Sequence, residues 1–174
     1  MKTWHTTYLD PPTRILVHDG LLVEYAPGCV LEADLARYKE FRAASIAQLL
    51  SPNYIAISRT ALWIYTAFLY QDCMPRLCAA HPTSSQPHVL SRRTIREECC
   101  HTISDLRLTN PACTAVDLLL LETPERARLG IQTLYDADLL TPQEVSEHLN
   151  KESARNGSRK ARATFQYLQA SGQL

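Results

Sequence analysis

Seven basic side chains in two short segments carry the most distinctive chemistry of this sequence. Arg92, Arg93 and Arg96 crowd one segment, and Arg155, Arg159, Lys160 and Arg162 load a second, with Lys151 just before it. A guanidinium's planar fork pairs with phosphate oxygens. A row of such cations releases counterions from a nucleic-acid backbone. Between Lys151 and Leu174 there are five bases and one acid, Glu152, while the whole chain holds 18 of each sign and no net charge. Affinity for phosphate would therefore rest on how the charge is distributed, not on its total. The competing account of the second segment is a solvated helix face whose cations complement the helix dipole.

Other reactive side chains are less well arranged. The six cysteines are Cys29, Cys73, Cys78, Cys99, Cys100 and Cys113. Met1 to His5 has none of the apolar run of a signal peptide. The most apolar window, Ala61 to Tyr70, is half the roughly 20 residues that a membrane span needs. A cytoplasmic protein without membrane contact is expected, with reduced thiols packed as small apolar groups. Structural zinc sites use spaced pairs of ligands. Cys73 and Cys78, followed by His81, supply one such pair. Cys99 and Cys100 are adjacent, and neighbours on a regular strand face opposite sides. No metal and no other cofactor is expected.

Catalytic patterns are missing as well. No nucleophile sits in a Gly-x-Ser-x-Gly elbow. With five glycines and no glycine-rich loop after a strand, phosphate-cradling and dinucleotide motifs are excluded. An Asp followed by a Glu-x-Lys or Asp-x-Lys pair would signal a metal-dependent nuclease. The nearest combination, Tyr38-Lys39-Glu40, has the wrong order and lies on a helix. No catalytic residue is assigned and no enzymatic activity is expected. Asp117, alone in an apolar helix, should bond a neighbouring backbone group or an arginine, because a buried carboxylate needs a partner. Trp63, Tyr65, Phe68 and Tyr70 read as core packing rather than as a base-stacking platform.

The elements that must position these groups follow from local signals. Apolar residues make up 45% and charged residues 21%, as in an ordinary globular domain. Residues 1–13 read as an irregular arm, and residues 14–174 as one core domain. Arg14 to Tyr25 places two apolar runs around Asp19-Gly20, a hairpin signal. Asp34 to Leu50 has helical spacing and stops at Ser51-Pro52-Asn53. Tyr54 to Ile57 reads as a strand, and Ser58 as the cap of a buried helix running to Tyr70. Gln71 to Gln86 should be loops with one strand near residues 76–80. Further extended pieces are expected at 88–90 and 94–95, and a half-buried strand at 103–108. Asn110-Pro111, Thr123-Pro124 and Thr141-Pro142 each place a capping residue before a proline at the first helical position. A final helix should run from Ser158 to about Ala170. The expected class is α/β (α+β). A small mixed sheet, built from the hairpin and the strands at 54–57 and 88–108, packs on a helix pair and is followed by a C-terminal helical bundle.

This order of signals resembles the AbiEi-type regulators, the antitoxin side of type IV toxin–antitoxin systems. The stretch Gly20-Leu-Leu-Val-Glu-Tyr-Ala-Pro-Gly-Cys-Val30 resembles the hairpin before that family's core. Ile57-Ser-Arg-Thr-Ala-Leu-Trp63 resembles its Ser-His-x-Ser/Thr-Ala-Ala-x-Leu segment. Leu106-Arg-Leu-Thr-Asn-Pro-Ala-Cys-Thr-Ala-Val-Asp-Leu118 is similar to its strand-then-helix signature, with Cys113 where the family has arginine. Leu139-Leu-Thr-Pro-Gln-Glu-Val145 resembles its Leu-x-Thr-x-x-Glu-Leu turn, and Ser158-Arg-Lys-Ala-Arg-Ala its basic helix. About a dozen residues precede the hairpin, too few for the full winged helix with which family members commonly begin. The endonuclease-like domain of some relatives is not expected here. The resemblance implies a transcriptional regulator that holds double-stranded DNA through its backbone. The alternative is a module that binds a toxin or other protein partner without reading DNA.

Overall fold

The computed structural model describes residues 9–70, 77–83 and 89–174. Cys73, Arg76 and His88 lie outside the described residues, as does most of the expected N-terminal arm. The described residues form an α+β fold with seven α-helices and seven strands.

The first element departs from expectation. Asp10 accepts a hydrogen bond from the Thr13 amide at 2.8 Å, Pro11 and Pro12 fill the first helical positions, and α1 runs over Pro11–His18. Asp19-Gly20 ends this helix instead of turning a hairpin. The hairpin lies one step later, between β1 (Leu22–Ala26) and β2 (Cys29–Glu32), and turns at Pro27-Gly28, where Gly28 has φ of 73°. It forms a two-stranded sheet of its own rather than joining the main one.

The expected helix over 34–50 is broken at Tyr38, whose extended backbone separates a 3₁₀ turn, Leu35–Arg37, from α2 (Lys39–Ala47). The strand β3 (Ile55–Ala56) leads into α3 (Ser58–Thr66). Ser58 is the first residue of that helix, not its cap, and Ala67 in the left-handed region closes it. Buried Arg42 ties α2 to α3 by donating to the Ile64 carbonyl from Nε and Nη2, at 3.0 and 2.7 Å. This satisfies an end-of-helix carbonyl that would otherwise be an orphan.

Two short strands, β4 (Ala79–Ala80) and β5 (Val89–Ser91), follow. The single strand expected over 103–108 is a hairpin, β6 (Cys100–Ile103) and β7 (Leu106–Thr109). Its turn is Ser104-Asp105, both at positive φ (46° and 63°). Two such residues suit the tight turns that match strand twist. The main sheet has the order β5-β4-β3-β7-β6 and is mixed. β3 runs parallel to β7, with Ala56 opposite Leu108, and antiparallel to β4.

The C-terminal half follows its caps. The helices are α4 (Pro111–Leu121), α5 (Pro124–Asp136), α6 (Pro142–Lys151) and α7 (Ser158–Ala170). Asn110, Thr123 and Thr141 each accept a hydrogen bond from the amide three residues on. The α4 helix is central, packed by α3, α5, α6 and α7, and Ala115, Val116 and Leu118 on it are fully buried. Its neighbour α5 approaches closely at Gly130. A Cβ there would lie 2.6 Å from the Tyr70 hydroxyl and 2.8 Å from Leu118 Cδ1.

At the start of α6 the Glu144 carboxylate accepts from the Thr141 amide at 2.7 Å and from its hydroxyl at 2.8 Å, completing a capping box. These bonds hold the Glu144 carboxyl below its ordinary pKa. Thr141→Ala should remove about 1 kcal/mol of stability. A scanning-calorimetry midpoint roughly 2–4 °C lower is the expected reading, and an unchanged midpoint would show that the cap carries no stability.

Candidate functional site

The fold brings the two basic segments together, and it does so around acids. Asp117 sits on α4 one turn after Cys113 and is completely buried. Its Oδ1 accepts from Arg93 Nη2 at 2.6 Å and from Arg155 Nη1 at 2.7 Å, while its Oδ2 has no partner. Arg93 also reaches Glu152 at 3.4 Å. Arg96 pairs with Glu98 at 2.9 Å and with Glu152 at 3.4 Å. Burial pushes the Asp117 carboxyl upward, and the guanidinium groups of Arg93 and Arg155 pull it back.

The seven expected phosphate contacts thus divide. Arg93, Arg96 and Arg155 are tied to internal carboxylates, which corrects the picture of a row of free cations. Arg155 also lies in the connection before α7 rather than on that helix. Arg162 is half-buried, donates to the Leu149 carbonyl at 3.4 Å, and leaves its Nε without a partner. Arg92, Arg159 and Lys160 are exposed, as is Lys151, and none of the four has an ion pair among the described residues.

Beside the ion pairs lies a cavity of about 270 Å³, whose lining includes the charged Arg93, Asp117, Glu152 and Arg155 together with Cys99, Cys113 and His148. The two thiols and an imidazole nitrogen are all within 4.8 Å of one another. Each comes from a different element. Cys99 closes a 3₁₀ turn, Glu97–Cys99, where its amide donates to Arg96 and its carbonyl accepts from Asn110. Cys113 is in the first turn of α4, and its amide is the one that the Asn110 side chain caps at 2.8 Å. His148 projects from α6, with Nδ1 3.2 Å from the Glu144 carbonyl. Burial, reinforced by the neighbouring Cys99, raises the Cys113 thiol, which makes it a poor free nucleophile.

This grouping was not read from the sequence. In the sequence Cys99 stands beside Cys100 and His101, and Cys113 marks a departure from a family signature, with nothing to link either to His148. No local spacing links residues on three elements, and Asp117 in an apolar helix was the single signal that charged partners must converge here. Cys78, the described member of the spaced pair, packs in the core with Ile55, Ile57 and Ala80, and burial takes its thiol up to about 12. Trp63 is buried and stacks on Tyr25, with centroids 5.0 Å apart. No helix among the described residues is long and apolar enough to cross a membrane.

Compared with protein-family models, curated proteins and solved structures, the chain has no match. The likeness to AbiEi-type regulators therefore stands on the quoted motifs alone.

Proposed function

We propose that the chain is a non-catalytic, antitoxin-like DNA-binding regulator that grips the duplex backbone. The observation that carries this reading is the set of exposed cations Arg92, Lys151, Arg159 and Lys160, which have no ion pair among the described residues. Their neighbours Arg93, Glu152 and Arg155 meet in the Asp117 ion-pair cluster. The cluster is nearly self-neutralised, so it offers little attraction itself but draws the two basic segments into one neighbourhood. Contacts of this kind position a protein on DNA without reading its sequence.

Binding of a fluorescent mixed-sequence duplex at about 50 and about 200 mM salt tests the reading. Four phosphate contacts give a slope of about −3.6 in log affinity against log salt, or roughly a hundredfold loss over that range. Arg159→Ala combined with Lys160→Ala should reduce the slope by about two. A response that does not change with salt would overturn the reading.

A second reading has its own observation. Ile15, Leu16 and Leu21, at the α1 end of the molecule, are 60%, 39% and 59% exposed. Large exposed apolar side chains grouped in one place favour a protein partner, as in a module that holds a toxin without touching DNA.

A further inference from the structure

We propose that Cys99, Cys113 and His148 bind one zinc ion through two thiolates and an imidazole, with a solvent molecule from the adjoining cavity in the fourth position. The inference goes beyond the DNA-binding reading and does not depend on it.

Four features of the geometry point to it. The first is convergence: three ligand-type atoms from a 3₁₀ turn, α4 and α6 lie within 4.8 Å of one another. In a tetrahedral site with bonds of about 2.0–2.3 Å, ligand atoms sit roughly 3.5 Å apart, so closure needs a contraction of about 1 Å.

The second is the orientation of the imidazole. The Glu144 carbonyl, 3.2 Å from His148 Nδ1, can only accept, so Nδ1 carries the proton. The neutral ring is then left with its lone pair on Nε2. Zinc-bound histidines are held in this way, with the far nitrogen donating to a carbonyl or carboxylate.

The third is charge. Two thiolates and a neutral imidazole balance a divalent cation, so the filled site adds no net charge beside Asp117, Glu152 and their arginines. Binding would release two protons, one from each thiol. A set of two sulfurs and one nitrogen selects a borderline-soft ion such as zinc over magnesium or calcium.

The fourth is room. The cavity of about 270 Å³ opens beside the three ligands and is lined by charged groups, so it can hold the solvent ligand. A site with three protein ligands and one solvent is the open form of zinc coordination.

The test uses the full chain, purified under a thiol reductant and titrated with Co²⁺ as an optical probe, then with Zn²⁺ in competition. One equivalent of Co²⁺ should give thiolate charge-transfer bands and visible d–d bands of tetrahedral intensity, and Zn²⁺ should abolish them. Cys99→Ser, Cys113→Ser and His148→Ala should each weaken binding by more than the roughly 10- to 100-fold that loss of an outer-shell partner costs. Cys100→Ser and Cys29→Ser should leave it unchanged.

A variant that fails to fold is replaced by zinc X-ray absorption on the unaltered protein. That spectrum should show two sulfurs near about 2.3 Å and two lighter ligands near about 2.0 Å. Absence of the Co²⁺ bands, their persistence in Cys113→Ser, or a zinc spectrum without sulfur would each overturn the proposal. So would a Cys99–Cys113 disulfide in the protein from cells, if reduction of that bond gives no metal binding.

Discussion

Asp117→Ala should destabilise the protein by about 3–5 kcal/mol, the range for breaking a buried ion pair from one side. The reason is what stays behind. Arg93 and Arg155 are mostly buried, with side-chain exposures of 21% and 16%, and both lean on the single Oδ1 of Asp117. Without it, Arg93 keeps only the longer contact to Glu152, and Arg155 loses its one ion pair among the described residues. Two cations would be left side by side with only Glu152 to offset them. Asp117→Asn can keep an amide oxygen in the place of Oδ1, with its NH2 where Oδ2 has no partner, but it carries no charge to offset two guanidinium groups, so it should recover only part of the loss. Removing the cation as well is gentler. The double variant Asp117→Ala, Arg155→Ala should be less destabilised than the sum of the single changes, by about 0.5–3 kcal/mol of coupling. Urea unfolding of the four proteins measures this, and strict additivity would show that the contact carries no energy.

Phe165→Ala should have a comparable effect, about 3–5 kcal/mol, for a different reason. Helix α7 has little local support. Its cap is Gly157, at φ 85° and without a side-chain bond, whereas α4, α5 and α6 each begin with a capping side chain and a proline. The helix is held by the burial of Ala161, Phe165 and Leu168 against its neighbours α4 and α6. Phe165 is the largest of the three and is 2% exposed. Truncation should lower the urea midpoint sharply. In hydrogen exchange, α7 amides should lose protection before those of α4, and equal protection in both helices would show that α7 has support beyond this side chain. Because Arg159 and Lys160 ride on this helix, the variant should also weaken duplex binding without any change in charge.

The contrast between these helices explains what the sequence makes legible. A cap followed by proline acts within four residues, so α4, α5 and α6 are readable where they begin. The same pattern at Asp10-Pro11-Pro12 was overshadowed by the apolar run Ile15-Leu16-Val17, which resembles a strand. In the fold, Ile15 and Leu16 stay largely exposed on α1, so no core burial marks that run. The β6–β7 turn, Ser104-Asp105, lacks the glycine that usually announces a tight hairpin, so in the sequence its two strands run together as one. The class of the fold survived these errors because it depends on the number and kind of elements more than on their edges.

The site was less legible for a similar reason. Runs of arginine are visible in a sequence, but the acids that fold beneath them are not. Glu152 stands at the start of the second basic segment, between Lys151 and Arg155, and Asp117 is far from both segments in the chain. Their pairing is a fact of tertiary packing. The convergence of Cys99, Cys113 and His148 is equally non-local, and it needs the crossing of a turn and two helices that no periodicity encodes.

The shared carboxylate also sets an order on assembly. Arg93 lies 24 positions before Asp117, and Arg155 lies 38 after it. A ribosome delivers the amino-terminal side first, so α4 emerges with one of its two counterions and waits for the other. Until residue 155 has left the ribosome, Asp117 has one counterion but lacks the second hydrogen bond on its Oδ1, and α4 lacks the cover of α7, which favours a loosely collapsed nascent chain. Vectorial folding here should therefore be late and abrupt, with the helical half locking only when the segment carrying Arg155 arrives.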